Sequence, residues 1–162
     1  IRENFIEFSF DSDDENYLPD FKLFEKLNST DQYYLAENYN WDDGVEILKW
    51  IIESKKCDKG TASLIFWTSE PDYYFEKSES EISDYEKDTF LLLKRIVEKF
   101  NNNDFKKSNL KYNPTEREKR VNWSKQNSEW NIPEELKKAT KGFSIISLGI
   151  IQHKICVCCC AN

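Results

Sequence analysis

Apolar residues fall at helical spacing twice between Val45 and Trp67, on either side of a short polar break. Val45, Leu48 and Ile52 share one face, which Ile47, Trp50 and Ile51 widen. Ala62, Ile65, Phe66 and Ser69 carry the second face until Pro71 forbids extension. Trp41-Asp42-Asp43-Gly44 reads as the turn before the first helix. Asp43 is placed to cap it, with Glu46 three residues on as its capping-box partner. Lys55 and Lys56 suit the negative end of that helix, and Asp58 is placed to cap the next. Two wide apolar faces joined by a few residues predict an antiparallel helical hairpin. Trp41, Trp50 and Trp67 are expected to be buried where its helices meet.

The flanking segments extend this pattern. Residues 1–10 alternate weakly through Phe5, Glu7, Phe8 and Phe10, as a short strand or an irregular lid. Leu18 to Leu27 predicts a short helix with Phe21, Phe24 and Leu27 three apart. Ser29 and Gln32 form a capping box for a helix through Tyr33, Tyr34, Leu35 and Tyr39. Ser83 and Glu86 open the longest helix, whose stripe is Tyr85, Thr89, Leu92, Leu93, Ile96 and Phe100. Asn101-Asn102-Asn103 ends it, because Asn tolerates the left-handed conformation past a C-terminus. Asn113-Pro114 starts a polar helix, and Trp123 and Trp130 anchor this region to the core. Pro133 to Thr140 predicts a last short helix, closed by Gly142.

The fold class is therefore mainly α: one compact domain of stacked antiparallel helical hairpins over residues 1–142, with room for one or two short strands at the termini. Residues 143–162 form an apolar, Cys-rich tail of different composition, expected to be disordered or non-native. Its apolar run is too short to span a bilayer.

Composition narrows the function. With 162 residues and 15% aromatics the chain can bury a core. The net charge of −7 and pI of about 4.9 argue against nucleic acid and anionic membrane, and favour a basic protein partner. Four Gly and four Pro leave little room for a many-stranded fold. The chain lacks Met, so it is expected to begin after processing or to be an incomplete reading frame. No signal peptide is legible in IRENFIEFSF. One Cys in the body and four near the end make no disulfide framework, so a reducing cytoplasm is expected.

Catalytic chemistry finds little support. The single His, His153, lies in the tail, and no Gly-rich phosphate loop or H-E-x-x-H helix is present. Asp42 and Asp43 are adjacent, but capping accounts for them. Cys57 lies beside Lys55 and Lys56, which would lower a thiol pKa, yet it has no His partner and reads as a bystander. Asp11 to Glu15 resembles the start of a calcium loop, but Asn16 and Lys22 stand where Gly and Glu belong. His153, Cys156, Cys158, Cys159 and Cys160 offer soft ligands without paired C-x-x-C knuckles, so zinc is not expected. Cys159 to Asn162 only half resembles a prenylation box. Arg117, Lys119, Arg120 and Lys125 beside Trp123 are interrupted by Glu116, Glu118 and Glu129, and read as a solvated helix face. No catalytic residue, cofactor or metal is assigned. The candidate partner-binding surface joins two strong helices: Tyr73, Tyr74, Phe75, Glu76, Glu79 and Glu81. The acidic stretch from Asp11 to Tyr17 is the second choice.

N-Y-N-W-D-D-G at 38–44, I-L-K-W-I-I at 47–52, C-D-K-G-T-A at 57–62 and L-I-F-W at 64–67 resemble a small bacterial family, the domain of unknown function 4274. The resemblance covers roughly Thr30 to Phe105. It implies a compact bacterial protein and carries over no catalytic residue. It also implies that some acidic relatives of this size act beside polymorphic toxins. The expected function is thus a cytoplasmic, non-catalytic acidic binding protein, most concretely an immunity protein that neutralises a basic toxin domain. Two alternatives stand: an enzyme of unrecognised type with an Asp42/Asp43 site, and a generic helical protein-interaction module.

Overall fold

The structure, a computed structural model, describes residues 1–6, 19–126 and 130–145. It is mainly helical. The helices are α1 (Phe21–Phe24), α2 (Ser29–Asn38), α3 (Glu46–Glu53), α4 (Lys59–Thr68), α5 (Asp72–Phe75), α6 (Lys87–Asn101) and α7 (Thr115–Glu118). Arg2–Ile6 forms a π-helical turn, and Trp41–Asp43, Glu79–Glu81 and Trp123–Lys125 form 3-10 turns. Among the described residues the only β pairing is two isolated parallel bridges, Asp58 with Lys107 and Leu110 with Phe143.

Helix α4 is the centre. Every residue from Gly60 to Trp67 is buried, so it has no solvent face to spare. Its most extensive packing is on α2, and it also packs on α6. Helix α3 packs on both α2 and α6. The two central helices are present as expected, but each rests chiefly on partners other than its sequence neighbour. Phe5 of the N-terminal turn is buried, and that turn packs on α2. Leu92, Leu93, Ile96 and Phe100 give α6 its buried stripe. Tyr85 does not join it: it precedes the helix and is 93% exposed.

Several helix ends differ from the expected ones. Asn28, not Ser29, caps α2: its extended backbone presents the side-chain oxygen to the N–H groups of Thr30 and Asp31, and Asp31 returns the bond to Asn28. The Ser29 hydroxyl donates instead to the Lys56 carbonyl at 2.6 Å. Asp43 does not cap α3. It lies inside the 3-10 turn, which Asn40 caps, and Gly44 at φ +80° separates that turn from the helix. Helix α3 starts at Glu46 behind Val45 with no side-chain cap, and Glu46 accepts the Trp50 indole N–H instead.

Trp67 is buried, whereas Trp41 and Trp50 are only half-buried. Asn103, at φ +52°, supplies the left-handed residue expected after α6. The segment from Pro133 is a run of 3.0–3.4 Å bonds three residues apart (Leu136 to Pro133, Lys137 to Glu134, Lys138 to Glu135), not a helix. The features expected in residues 7–18 and 146–162, including the acidic loop and the Cys cluster, lie outside the described residues. Ile145 is buried, and Phe143 exchanges backbone bonds with Asn109 and Lys111, so packing continues past residue 142.

Leu48 is fully buried between these helices. Leu48→Ala is expected to cost about 2–5 kcal/mol, the range for truncating a core leucine. A thermal melt matching the unsubstituted chain would remove Leu48 from the core.

Candidate functional site

The most unusual surface runs from Glu70 to Asp88. It holds eight acids against two lysines, and so accounts for six of the seven net negative charges. Glu70, at φ +51°, ends α4 and turns the chain into α5. There the short aromatic run divides. Tyr74 and Phe75 are buried. Phe75 stacks on Trp123 at 5.6 Å between centroids and meets Trp130 edge-on at 5.4 Å. The Tyr74 carbonyl accepts the Trp130 indole N–H at 3.1 Å. Both residues fasten the arm to the core, which corrects their placement on a partner-binding surface. Tyr73, Glu76, Glu79 and Glu81 do face solvent.

Two carboxylates that reach back three residues hold the arm in shape. Glu81 accepts the Ser78 backbone N–H at 2.8 Å and its hydroxyl at 2.6 Å. Glu86 accepts the Ser83 hydroxyl at 2.8 Å and its N–H at 3.3 Å. Hydrogen bonds from the Tyr73 and Ser83 hydroxyls hold the Glu86 pKa down at about 2, and the Ser78 bonds lower that of Glu81. Lys77 sits over the Tyr73 ring, 3.5 Å from its centroid, and 3.6 Å from a Glu86 oxygen. Glu76 pairs with Lys125 at 3.0 Å and Asp88 with Lys49 at 2.9 Å. What remains outward is Glu70, Asp72, Glu79, Asp84, half of Tyr73 and nearly all of Tyr85.

A second feature escaped the sequence reading. Phe21, Phe24 and Trp50 line a groove of about 560 Å³, with Phe21 meeting Trp50 edge-on at 4.9 Å. The aromatic spacing is visible in the sequence, but nothing there says that Trp50 faces α1 at the surface. Much of the groove's polar rim is engaged internally. Lys56 donates to the carbonyls of Glu25 and Leu27, and Glu53 pairs with Arg95 at 2.6 Å and Lys99 at 3.2 Å.

The remaining candidates resolve into structural roles. Cys57 is buried, and burial pushes its thiol pKa up rather than down. Asp42 is exposed and Asp43 half-buried on their 3-10 turn. Arg117 donates to the Trp67 carbonyl at 2.6 Å, and Lys119 pairs with Glu116. Among the described residues no group of three or more His, Cys, Asp or Glu is placed to hold a metal ion. No described helix is long and apolar enough to cross a membrane.

The C-D-K-G-T-A motif is structural too. Asp58 is fully buried and caps α4 by accepting the Gly60 N–H at 2.9 Å. Its carboxylate also takes the N–H groups of Asn109 at 2.7 Å and Leu110 at 3.3 Å. Lys59 N–H donates to the Lys107 carbonyl at 2.9 Å. Gly60 permits this approach, since a Cβ there would lie 2.2 Å from the Leu110 carbonyl oxygen.

Residues 28–101 match the family model described as Domain of unknown function (DUF4274), which bears out the resemblance carried by these motifs. No curated protein matches the chain, and no solved structure does.

Proposed function

We propose that this chain is a non-catalytic acidic binding protein of the cytoplasm, most concretely an immunity protein that neutralises a basic toxin domain of a bacterial polymorphic toxin system. One observation carries the reading: nearly all the net charge lies on one arm, tied to the core by Tyr74 and Phe75 and presenting Tyr73, Glu79, Asp84 and Tyr85 outward. A fixed field of one sign speeds encounter with an oppositely charged partner and orients it, while exposed aromatics supply anchoring contacts. An arm held by its own hydrogen bonds has less freedom left to lose on binding.

The test uses the products of the genes that neighbour this one, a basic toxin domain among them being the expected binder. Glu76 and Glu81 support the arm through Lys125 and Ser78, so reversing them would mix fold with function. Glu79→Lys combined with Asp84→Lys changes the field alone. Association is expected to slow about tenfold or more at low salt and to lose much of its salt dependence, with an unchanged melting curve. If no neighbouring gene product binds, or the purified chain turns over a small substrate unaided, the proposal is lost.

A further inference from the structure

We propose that the groove between α1 and α3 is a small-molecule site, independent of the acidic arm, and that it holds an apolar amino acid as its zwitterion. Phe21 and Phe24 of α1 and Trp50 of α3 line it, with ring centroids 5.8, 4.9 and 5.6 Å apart. Rings this close leave no gap for a cation between them, so they offer an apolar surface rather than a cage. Phe21 stays 47% exposed on it. The volume of about 560 Å³ is that of a small-molecule site, which spans about 300–1,000 Å³.

The polar lining names the occupant. Three acids and three lysines line the groove, so its own charge is zero. Four of the six are spent inside the chain. Glu46 takes the Trp50 indole N–H, Lys49 pairs with Asp88, Glu53 pairs with Arg95 and Lys99, and Lys56 donates to the Glu25 and Leu27 carbonyls. The Glu25 carboxylate and the Lys55 ammonium are left, both on exposed side chains and both without a partner among the described residues. Ser54, beside Lys55, also lines the groove. Its Oγ accepts the Gln32 amide at 2.9 Å and the Lys56 N–H at 3.1 Å, which leaves its O–H to donate, and no described group takes it. A hydroxyl donor and an ammonium on consecutive residues suit a carboxylate, and Glu25 on the facing element suits an ammonium. A ligand with one charge leaves the other rim charge unspent and facing a like group. A neutral ligand bearing both charges and an apolar side chain satisfies the rim and the rings together.

The experiment titrates the full chain with L-phenylalanine and L-leucine and follows the tryptophan indole N–H resonances by NMR, with Trp50 assigned through its loss in Trp50→Phe. The Trp50 signal is expected to move and saturate, and to move more than that of buried Trp67. Phenylalaninamide lacks the carboxylate and N-acetylphenylalanine lacks the ammonium, and each is expected to bind about tenfold more weakly than phenylalanine. Lys55→Gln is expected to weaken phenylalanine by a similar factor but to leave phenylalaninamide unchanged, because the amide has no carboxylate to lose. Glu25→Gln should do the same for phenylalanine and leave N-acetylphenylalanine unchanged. Both side chains are exposed, so neither variant should shift the melting curve. An unmoved Trp50 signal overturns the proposal. So does N-acetylphenylalaninamide binding as tightly as phenylalanine, which would make the groove a seat for a peptide segment. Either result leaves the reading of the acidic arm standing.

Discussion

Asp58→Ala is expected to destabilise the fold by about 3–5 kcal/mol, read as a lowered urea midpoint with an unchanged slope. The carboxylate is fully buried and accepts three backbone N–H groups, from Gly60, Asn109 and Leu110. Each buried donor left without a partner costs about 1–3 kcal/mol. The 3.3 Å bond from Leu110 is the weakest of the three. Part of the loss is offset, because alanine no longer requires a buried charge to be desolvated. Asp58→Asn keeps an acceptor oxygen but turns its amide donors toward backbone donors, so an intermediate loss is expected. An unfolding free energy for the alanine variant within about 1 kcal/mol of that of the unsubstituted chain would show that solvent or neighbouring groups satisfy the three N–H groups without Asp58.

The sequence pattern located Asp58 as a helix cap but not as a clamp. Capping is a local relation, readable from a residue and the apolar run behind it. The clamp depends on Asn109 and Leu110, about fifty residues away, and no periodicity carries that distance. The same division runs through the molecule. The α6 stripe and the Asn103 stop were legible because each is fixed within a turn or two of helix. The α2 cap was misplaced by one residue because Asn28 and Ser29 are both good caps, and only backbone geometry chooses between them. Asp43 failed for a similar reason: Asn40 begins a separate turn, and Gly44 breaks it from α3.

The arm shows the limit most plainly. Tyr73, Tyr74 and Phe75 are too short a run to show which way each side chain points. The choice is made by Trp123 and Trp130, which draw Phe75 inward, while the Trp130 indole bonds to the Tyr74 backbone. The acidity of the segment was legible at once, since it is composition. Its separation into braced carboxylates and outward ones was not, because that depends on the Ser78 and Ser83 bonds.

Ending the chain after Asn101, the last residue matched by the family model, is expected to abolish cooperative folding. The matched region holds α2 to α6 but not a closed core. Phe105, Leu110, Trp130, Ile132, Leu136 and Ile145 are all buried, and all would be lost. Behind them Trp67 would lose its indole bond to the Leu136 carbonyl and its edge-on contact with Trp123. Phe75 and Phe90 would lose Trp130, and Phe100 would lose Phe105. Fully re-exposing one such side chain costs about 1.5–3 kcal/mol. Four of them, even half re-exposed, come to roughly 3–6 kcal/mol by that scale, and the Asn109 and Leu110 donors that satisfy Asp58 go with the segment. The whole stability of a domain is only about 5–15 kcal/mol. The truncated chain should therefore keep much of its far-ultraviolet helical signal while losing near-ultraviolet aromatic ellipticity and a sharp melt. A second chain ended after Ile145 separates this effect from truncation in general, since it keeps every described residue and is expected to melt cooperatively. If the chain ending at Asn101 melted as sharply as the one ending at Ile145, residues 102–145 would be a dispensable cover, and the folding unit would coincide with the matched region after all.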